Sequence, residues 1–267
     1  MQLSYKLIFM PLAFLCLTAM AARAQQPFTT DNSDVTDRNK YHFQFGNEYD
    51  ILQRSSYPAL RQNTSVFELD YGLLNGVEVG VDGPIIAISN SHVVNPRTLA
   101  GIGDLDFHVK YNFHRERESS RWPAMTVSFS TEFPTGSTSK QLGSGLQDYF
   151  INGILQKSLT PQTKLRLNGG VLFAGNATTG VIGIKTRGRV YLGSVSLVKQ
   201  FTERLDLGAE MTGGLTGNLQ LGKGQLQGLV GGNYALRKNL TLDFGLVAGR
   251  FSASPRAGIQ LGLSLDF

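Results

Sequence analysis

The sequence predicts an all-β protein, a closed antiparallel transmembrane β-barrel of about 12 strands. Three observations predict it: apolar and polar side chains alternate along most of the chain, short and long connectors alternate between the segments, and aromatic residues gather near segment ends. A strand points successive side chains to opposite faces, so the alternation gives each segment one apolar and one polar face. Helical spacing at i, i+3 and i+4 is absent from nearly all the segments.

The N-terminus is typical of a secretory signal peptide, which we assign to residues 1–24. Lys6 supplies a basic start, the run "LIFMPLAFLCLTAM" is apolar but too short to span a membrane comfortably, and "Ala-Arg-Ala" at 22–24 is a small-x-small cleavage site. We therefore predict export and cleavage after Ala24. The single cysteine, Cys16, lies inside this signal, so the mature chain is expected to have no disulfide and no cysteine-based metal site.

Behind the signal we predict a polar periplasmic lead-in at 25–39 and the barrel at 40–267. No later run reaches the roughly eighteen apolar residues of a membrane helix. Glycine makes up 31 of the 267 residues and lies inside alternating segments as well as in turns, which suits a crowded, bent barrel wall. The formal net charge of +5 includes two basic residues of the signal, and the rest is weak and scattered, so we predict no nucleic-acid partner.

Twelve alternating segments are the predicted strands. They are 41–50, 65–73, 77–83, 103–113, 124–133, 146–159, 164–173, 188–201, 205–215, 224–236, 239–250 and 256–267. The clearest is "GDLDFHVKYNF", and the weakest is 146–159, where both faces hold apolar residues. Tight turns alternate with generally longer loops, as in outer-membrane barrels, and an even strand number places both termini on the short-turn, periplasmic side.

The apolar faces could pack against a protein core or against lipid. A soluble β-sandwich also alternates, and the charged faces alone do not separate the two. Aromatic residues near the strand ends resemble the interfacial girdles of a membrane barrel, and barrel closure removes exposed sheet edges. The final strand, "GIQLGLSLDF", ends on Phe267, which resembles the recognition signal for the barrel assembly machinery. We therefore predict outer-membrane lipid as the partner of the apolar faces.

Three stretches carry a family resemblance: "PFTTDNSDVTDRNKYHFQFG", "GIGDLDFHVKYNF" and "FPTGSTSKQLGSGLQD". They resemble the outer-membrane transporter family named for the MetA pathway of phenol degradation, over most of the mature chain. The resemblance implies a signal-bearing β-barrel, distantly similar to fatty-acid and aromatic-hydrocarbon channels. It implies uptake of small molecules, hydrophobic or aromatic ones among them, and supplies no residue-level mechanism.

The polar face of the strands predicts the lining of the lumen. The lumen-lining candidates are Glu48, Glu68, Asp70, Glu78, Asp82, Asp104, Asp106, His108, Lys110 and Arg166. Asp104, Asp106 and His108 share one face with Lys110, and two carboxylates with an imidazole could hold a divalent cation. We favour ordinary lumen lining, in which Lys110 balances the acids, and predict no metal and no cofactor. Acids early and bases late in the chain suggest either a transverse field or salt bridges that fill the lumen, and we favour the salt bridges.

Catalytic motifs are absent from the sequence: it contains no P-loop, no HExxH and no GxSxG. We predict no enzyme and no catalytic residue. The function we expect is a porin-like channel for small solutes, its selectivity set by pore diameter and lining groups, with the lead-in or loop 134–145 as a constriction. A rim-facing lipid-modifying enzyme and a structural or adhesive barrel are the alternatives.

Overall fold

The computed structural model describes residues 27–53, 61–89, 97–117, 120–140, 142–143, 145–173, 188–216, 225–251 and 254–267. The predicted signal peptide and its cleavage site lie outside the described residues, as do parts of the longer loops. No helix among the described residues has the length and hydropathy needed to cross a membrane.

The described chain forms one antiparallel sheet that closes on itself. Its strands are β1 (Tyr41–Ile51), β2 (Arg61–Leu74), β3 (Val77–Ser89), β4 (Leu99–Ile102), β5 (Leu105–His114), β6 (Ala124–Phe133), β7 (Asp148–Thr160), β8 (Thr163–Phe173), β9 (Arg189–Gln200), β10 (Leu205–Thr216), β11 (Gln225–Arg237), β12 (Leu240–Gly249) and β13 (Ala257–Asp266). Neighbours in sequence are neighbours in space, and β1 pairs with β13 to close the ring. The prediction of a closed 12-strand barrel is confirmed.

The short strands β4 and β5 together make one wall strand. β3 pairs with β4 along residues 85–88 and with β5 along residues 77–82. The break between them lies at Gly103 and Asp104, where Thr135 bonds both sides: Leu105 N donates to Thr135 Oγ1 at 3.0 Å, and Thr135 Oγ1 donates to Gly103 O at 3.0 Å. Thirteen strands in sequence are therefore twelve in the wall.

Side chains alternate around this wall as the sequence predicts. Large apolar side chains remain exposed on the outer face, for example Ile259, Leu261 and Leu263 on β13. The opposite face of the same strand carries Ser264, which is buried. The β2 and β3 strands extend further than predicted, because the segments 61–64 and 84–89 pair with each other without a strict apolar–polar alternation.

Aromatic residues meet where the first and last strands join. Tyr41 N donates to Phe267 O at 2.8 Å, and Phe267 N donates back to Tyr41 O at 3.0 Å. The Tyr41 ring lies 5.5 Å from the Phe267 ring and 4.9 Å from the Tyr71 ring, measured between centroids. Phe267 thus contacts the closing seam; its role as an assembly signal stays a prediction.

Candidate functional site: the interior of the barrel

The interior of the barrel is crossed by the chain that precedes β1. We call residues 27–38 the inner segment. Seven of these twelve residues are buried, although the segment has no regular secondary structure apart from an isolated parallel bridge between Arg38 and Gly72. Its polar composition, which predicted a periplasmic lead-in, matches the polar wall that it touches. The described part of the lead-in thus lies within the lumen, where a constriction would form.

Two wall carboxylates hold the backbone of the inner segment. Glu210 on β10 accepts hydrogen bonds from Thr29 N at 2.9 Å and Thr30 N at 2.7 Å. Glu78 on β3 accepts one from Thr36 N at 2.5 Å. Hydrogen bonds to an ionised carboxylate are stronger than neutral ones, so these three contacts fix both ends of the segment to the wall.

One wall cation and three neutral polar side chains of the wall hold the middle of the segment. Lys110 Nζ donates to Asp31 Oδ1 at 2.8 Å, and Gln156 Nε2 donates to Asp34 Oδ2 at 3.4 Å. The Ser33 carbonyl accepts from Asn112 Nδ2 at 2.6 Å and from Thr126 Oγ1 at 2.9 Å. The segment therefore neutralises Lys110 and satisfies amide and hydroxyl groups from β5 to β7.

Apolar contacts anchor the start of the segment. Phe28 packs in a buried cluster with Val198, Leu229 and Val247, which come from β9, β11 and β12. Side chains of this inward cluster were not among the lining residues that the sequence predicted. A glycine at position 208 leaves room for the ring, since a Cβ there would stand 2.9 Å from Phe28 Cζ. Burial of a phenylalanine side chain stabilises by about 1.5–3 kcal/mol, so this cluster adds to the polar anchors.

The segment enters the barrel at Gly72 on β2. Asn39 N donates to Gly72 O at 2.8 Å, and Gly72 N donates to Lys40 O at 3.0 Å. A Cβ at position 72 would collide with the carbonyl groups of Asp37 and Thr36. Only glycine permits the segment to lie this close to the wall at its point of entry.

Carboxylates form a row across five neighbouring wall strands. The strand register places Glu68 opposite Asp82, Asp82 opposite Asp106, Asp106 opposite Glu132, and Glu132 opposite Asp148. Residues paired in this way lie close together across the strands. We call these five residues the acidic row; it runs around the inner wall from β2 to β7.

A second row, one step along the strands, brings Asp70 beside His108. Gly80 lies between them in the register. His108 Nε2 is 3.0 Å from Asp70 Oδ1, and the Asp70 side chain is 1% exposed. Candidate metal ligands meet here in two sets, Glu68 with Asp70 and His108, and Asp82 with Asp106 and His108, with the ligand atoms of each set within 4.8 Å of one another.

The lumen-lining candidates are distributed over several local groups. Glu68, Asp70, Asp82, Asp106 and His108 come together as described, whereas Lys110 and Glu78 bind the inner segment. Asp104 accepts a hydrogen bond from Gly136 N at 2.8 Å in the loop 134–145. Glu48 accepts one from Gln260 Nε2 at 2.7 Å, and Arg166 Nε donates to Gln156 Oε1 at 3.1 Å. The four residues that the sequence places on one face therefore have three kinds of partner. Asp104 contacts the loop 134–145, Asp106 and His108 belong to the carboxylate cluster, and Lys110 binds the inner segment.

The loop 134–145 closes part of the other end of the interior. Its Leu142 is buried against Leu52, Ile86 and Ile88, which belong to β3 and the residue after β1. Asp104 also contacts this loop, since a Cβ at Gly143 would collide with its carboxylate. Leu142 and Gly143 of this loop are therefore buried, as the constriction hypothesis for the loop expects, whereas residues such as Ser139 and Lys140 are exposed.

Between the inner segment and the wall lies a cavity of about 250 Å³. Its lining includes the apolar side chains of Phe150, Leu172 and Leu192 and three members of the acidic row, Asp106, Glu132 and Asp148. The remaining lining residues are Thr29, Ser130, Asn152, Asn168, Gly193, Ser194, Thr212 and Gln225. Apolar lining residues such as Phe150 were missed from the sequence; the one available signal was the double apolar face of 146–159.

Comparison with solved structures shows the barrel fold. The COG4313 outer membrane channel from Pseudomonas putida F1 matches with a TM-score of 0.70 at 12% identity, over 88% of this chain and 98% of that one. The NanC porin matches with a TM-score of 0.56 at 10% identity, over 84% and 98%. The sequence matches no family model, and no curated protein shows significant similarity.

The same fold also occurs in a protein described as a translocator domain. That of the autotransporter NalP from Neisseria meningitidis matches with a TM-score of 0.51 at 10% identity, over 88% of this chain and 91% of that one. At such identities the likeness extends to architecture alone. Function must be argued from the interior of this barrel, and the fold places the chain among proteins with the architecture of bacterial outer-membrane barrels.

Proposed function

We propose that this protein is an outer-membrane channel for small molecules. The observation that supports it most directly is a closed barrel with an apolar outer face and a polar inner face that borders a solute-sized cavity. Such a wall satisfies every strand backbone within lipid while leaving an aqueous interior for solutes. The structural likeness to a channel and a porin agrees with this assignment.

The lining of the cavity favours a particular class of solute. Phe150, Leu172 and Leu192 offer an apolar surface, and Asp106, Glu132 and Asp148 offer carboxylates. A small molecule with a hydrophobic body and a donor or cationic group would contact both surfaces. Hydrophobic or aromatic solutes are also what the resemblance to the phenol-degradation transporter family implies, and we propose membership of that family as an extension of this argument.

The inner segment is the proposed constriction. It contacts strands on both sides of the interior, so a solute must pass between it and the wall or wait until it moves. Its anchors are individually modest, because a hydrogen bond to a charged group contributes about 1.5–3 kcal/mol. We propose that the lining candidates act as groups: some hold the segment, and the acidic row meets the solute.

Location and assembly follow from the same proposal. We propose export through the signal peptide, cleavage after Ala24, and insertion by the barrel assembly machinery with Phe267 as the anchor of the recognition strand. Outer-membrane lipid then contacts the exposed apolar side chains. We propose no enzymatic activity; the lipid-modifying enzyme and the adhesive barrel are not favoured by any contact among the described residues.

Permeation into liposomes tests the channel function. We would reconstitute the folded, heat-modifiable protein and measure uptake of phenol-sized neutral, amine and carboxylate aromatics. We expect uptake above protein-free liposomes, with the amine fastest because carboxylates line the cavity. Glu132→Gln should reduce the preference for the amine, and Asp243→Asn, away from this cavity, should not. Folded barrel that admits none of the solutes would overturn the proposal.

A further inference from the structure

We propose that the inner wall carries a binding site for one divalent transition-metal cation, such as Zn²⁺, built around Asp70 and His108. Glu68 completes this set of ligands, and the ligand atoms of the three residues lie within 4.8 Å of one another. The three residues come from two strands, β2 and β5, that both border β3. The proposal does not depend on channel activity, because it concerns binding to the folded barrel.

Carboxylates outnumber positively chargeable groups around this site, which favours the binding of a cation. Glu68, Asp70, Asp82 and Asp106 lie around the single imidazole of His108, as the two overlapping ligand sets show. The nearest lysine of the same strand, Lys110, is bound to Asp31 of the inner segment at 2.8 Å. Carboxylates removed from water require compensation by a cation, a donor or a proton. Within the described part of the chain, His108 is the only positively chargeable side chain in either ligand set.

Asp70 provides an independent observation. The residue is 0% exposed, yet neither of its carboxylate oxygens has a hydrogen-bond partner among the described residues. Oδ1 is instead in an ion pair with His108 Nε2 at 3.0 Å, so Oδ2 is the oxygen left with neither kind of partner. A fully buried carboxylate with one oxygen unused is costly, and a metal ion is a ligand that would use it.

The wall is shaped to let these two side chains meet. Gly80 on β3 lies between Asp70 and His108 in the strand register. A Cβ at position 80 would collide with Asp70 Oδ1 and with the imidazole carbon Cε1 and nitrogen Nε2 of His108. By contrast, a Cβ at Gly169 on β8 would meet nothing within 4 Å. The glycine therefore opens the space in which the donor atoms converge.

The distances and donor types fit a transition metal. Ligands that each lie about 2.0–2.2 Å from one tetrahedral ion are about 3.3–3.6 Å apart. The separation of 3.0 Å between His108 Nε2 and Asp70 Oδ1 is a few tenths of an ångström shorter, so a small adjustment of the two side chains would seat the ion. Calcium and magnesium take oxygen ligands, whereas an imidazole with carboxylates suits zinc and its neighbours.

A metal ion has access to the site from the interior. A cavity of about 230 Å³ is bordered by Glu68, Asp106 and His108. The His108 side chain is 15% exposed, so its imidazole is reachable, whereas Asp70 lies behind it. Asp82 and Asp106 form the second ligand set with the same imidazole, so an ion can pass from one set to the other along the wall.

Zn²⁺ binding to the folded protein tests the proposal. The detergent-solubilised, full-length barrel would be stripped with a chelator, dialysed against Zn²⁺ and analysed for bound metal. We expect one Zn²⁺ per chain, and a loss of affinity of at least about tenfold in Asp70→Asn and in His108→Gln. Asp243→Asn is the matched control, because Asp243 is equally buried but already accepts hydrogen bonds from Ser264 and Asn233, each at 2.7 Å.

A chemical measurement on the wild-type protein covers the case in which a variant fails to fold. Diethyl pyrocarbonate should modify His108 in the metal-free barrel, and Zn²⁺ should protect it, as detected by mass spectrometry. His114 at the end of β5 serves as the internal reference and should be modified equally with and without Zn²⁺. Absence of bound Zn²⁺, absence of protection, equal loss in Asp243→Asn, or Ca²⁺ binding that His108→Gln leaves unchanged would each overturn the proposal.

Discussion

Two regions of the inner wall differ in the partners that they provide for buried carboxylates. On β10 and β12 two buried acids have their donors: Glu210 accepts two backbone N–H groups of the inner segment, and Asp243 accepts from Asn233 and Ser264. On β2, β3 and β5 four acids, Glu68, Asp70, Asp82 and Asp106, gather around His108, which is the ion-pair partner of Asp70. The same residue type therefore serves structure in one region and is available for a ligand in the other.

The comparison teaches that burial alone does not identify a binding site. Asp70 and Asp243 are both almost completely buried, at 0% and 1% exposure. What separates them is the supply of donors from neighbouring strands. Removing an acid that has two hydrogen-bond donors should destabilise the barrel, whereas removing Asp70 both breaks its ion pair with His108 and relieves repulsion from its acidic neighbours.

The largest effect is expected where wall carboxylates hold the inner segment. Glu210→Gln combined with Glu78→Gln removes the charge from the acceptors of three backbone hydrogen bonds and turns one accepting oxygen of Glu210 into a donor amide, so the segment should be held less tightly. We expect a severalfold rise in single-channel conductance in planar bilayers. Asp206→Asn on the same strand as Glu210 is the control and should conduct like the wild type. Unchanged conductance in the double variant would show that the segment is not the constriction.

The second prediction compares Asp243 and Asp70 directly. Asp243→Asn should lower the free energy of unfolding by about 1–3 kcal/mol, because it disturbs two hydrogen bonds to a buried charge. Asp70→Asn should cost less in metal-free protein, because the loss of the ion pair with His108 is offset by the removal of one of several crowded carboxylates. Urea unfolding in lipid vesicles measures both. Equal destabilisation by the two substitutions would contradict the proposed difference between the two regions.

The third prediction concerns the space that Gly80 leaves between Asp70 and His108. Gly80→Ala should destabilise by about 1–3 kcal/mol, since its methyl group overlaps both side chains and must displace them. Gly169→Ala is the matched control, because a Cβ there meets nothing within 4 Å, and it should change stability little. The same urea unfolding applies. A tolerated Gly80→Ala with unchanged Zn²⁺ affinity would argue against a convergent site.

The smallest effect concerns an ion pair outside the lumen. Glu116, in the connector before β6, binds Lys157, and Ser158 N donates to its carboxylate at 2.9 Å. Burial opposes ionisation, but these hydrogen bonds outweigh it and hold the pKa of Glu116 below its usual value. A lowered folded-state pKa adds stability at neutral pH that is lost as the pH falls through that value.

Glu116→Gln should therefore cost about 0.2–1 kcal/mol at pH 7, as expected for a partly exposed pair. The difference from wild type should shrink on acidification towards pH 3. Urea midpoints across this range measure it, with Glu203→Gln in another short turn as the control. A difference that stays constant with pH would mean that the effect comes from packing and not from charge.

The sequence predicted the wall well because a strand in a barrel is governed by a local rule. Alternation alone located β6 at its observed bounds, residues 124–133. The prediction failed where apolar side chains lie on the inner face, as Phe150, Leu172 and Val198 do. Inward apolar residues and outward ones look alike in a sequence, so only the doubled apolar face of β7 gave a signal.

The site itself was only partly predictable. Asp106 and His108 were recognised as neighbours on one face, but the partners that matter, Asp70 and Glu68, lie on another strand. The strand register that brings them together depends on long-range pairing, which one sequence does not reveal. The lead-in was named as a candidate constriction, but its contacts could not be predicted for a similar reason: they join it to wall residues far along the chain, such as Glu78 and Glu210.

The contacts of the inner segment also constrain the order of assembly. The hydrogen bond from Thr30 to Glu210 joins residues 180 positions apart, and Phe28 packs on Val247 near the end of the chain. Contacts between such distant positions form late in folding. This N-terminal segment is therefore expected to dock among the last, once the final hairpin has closed the ring against Tyr41.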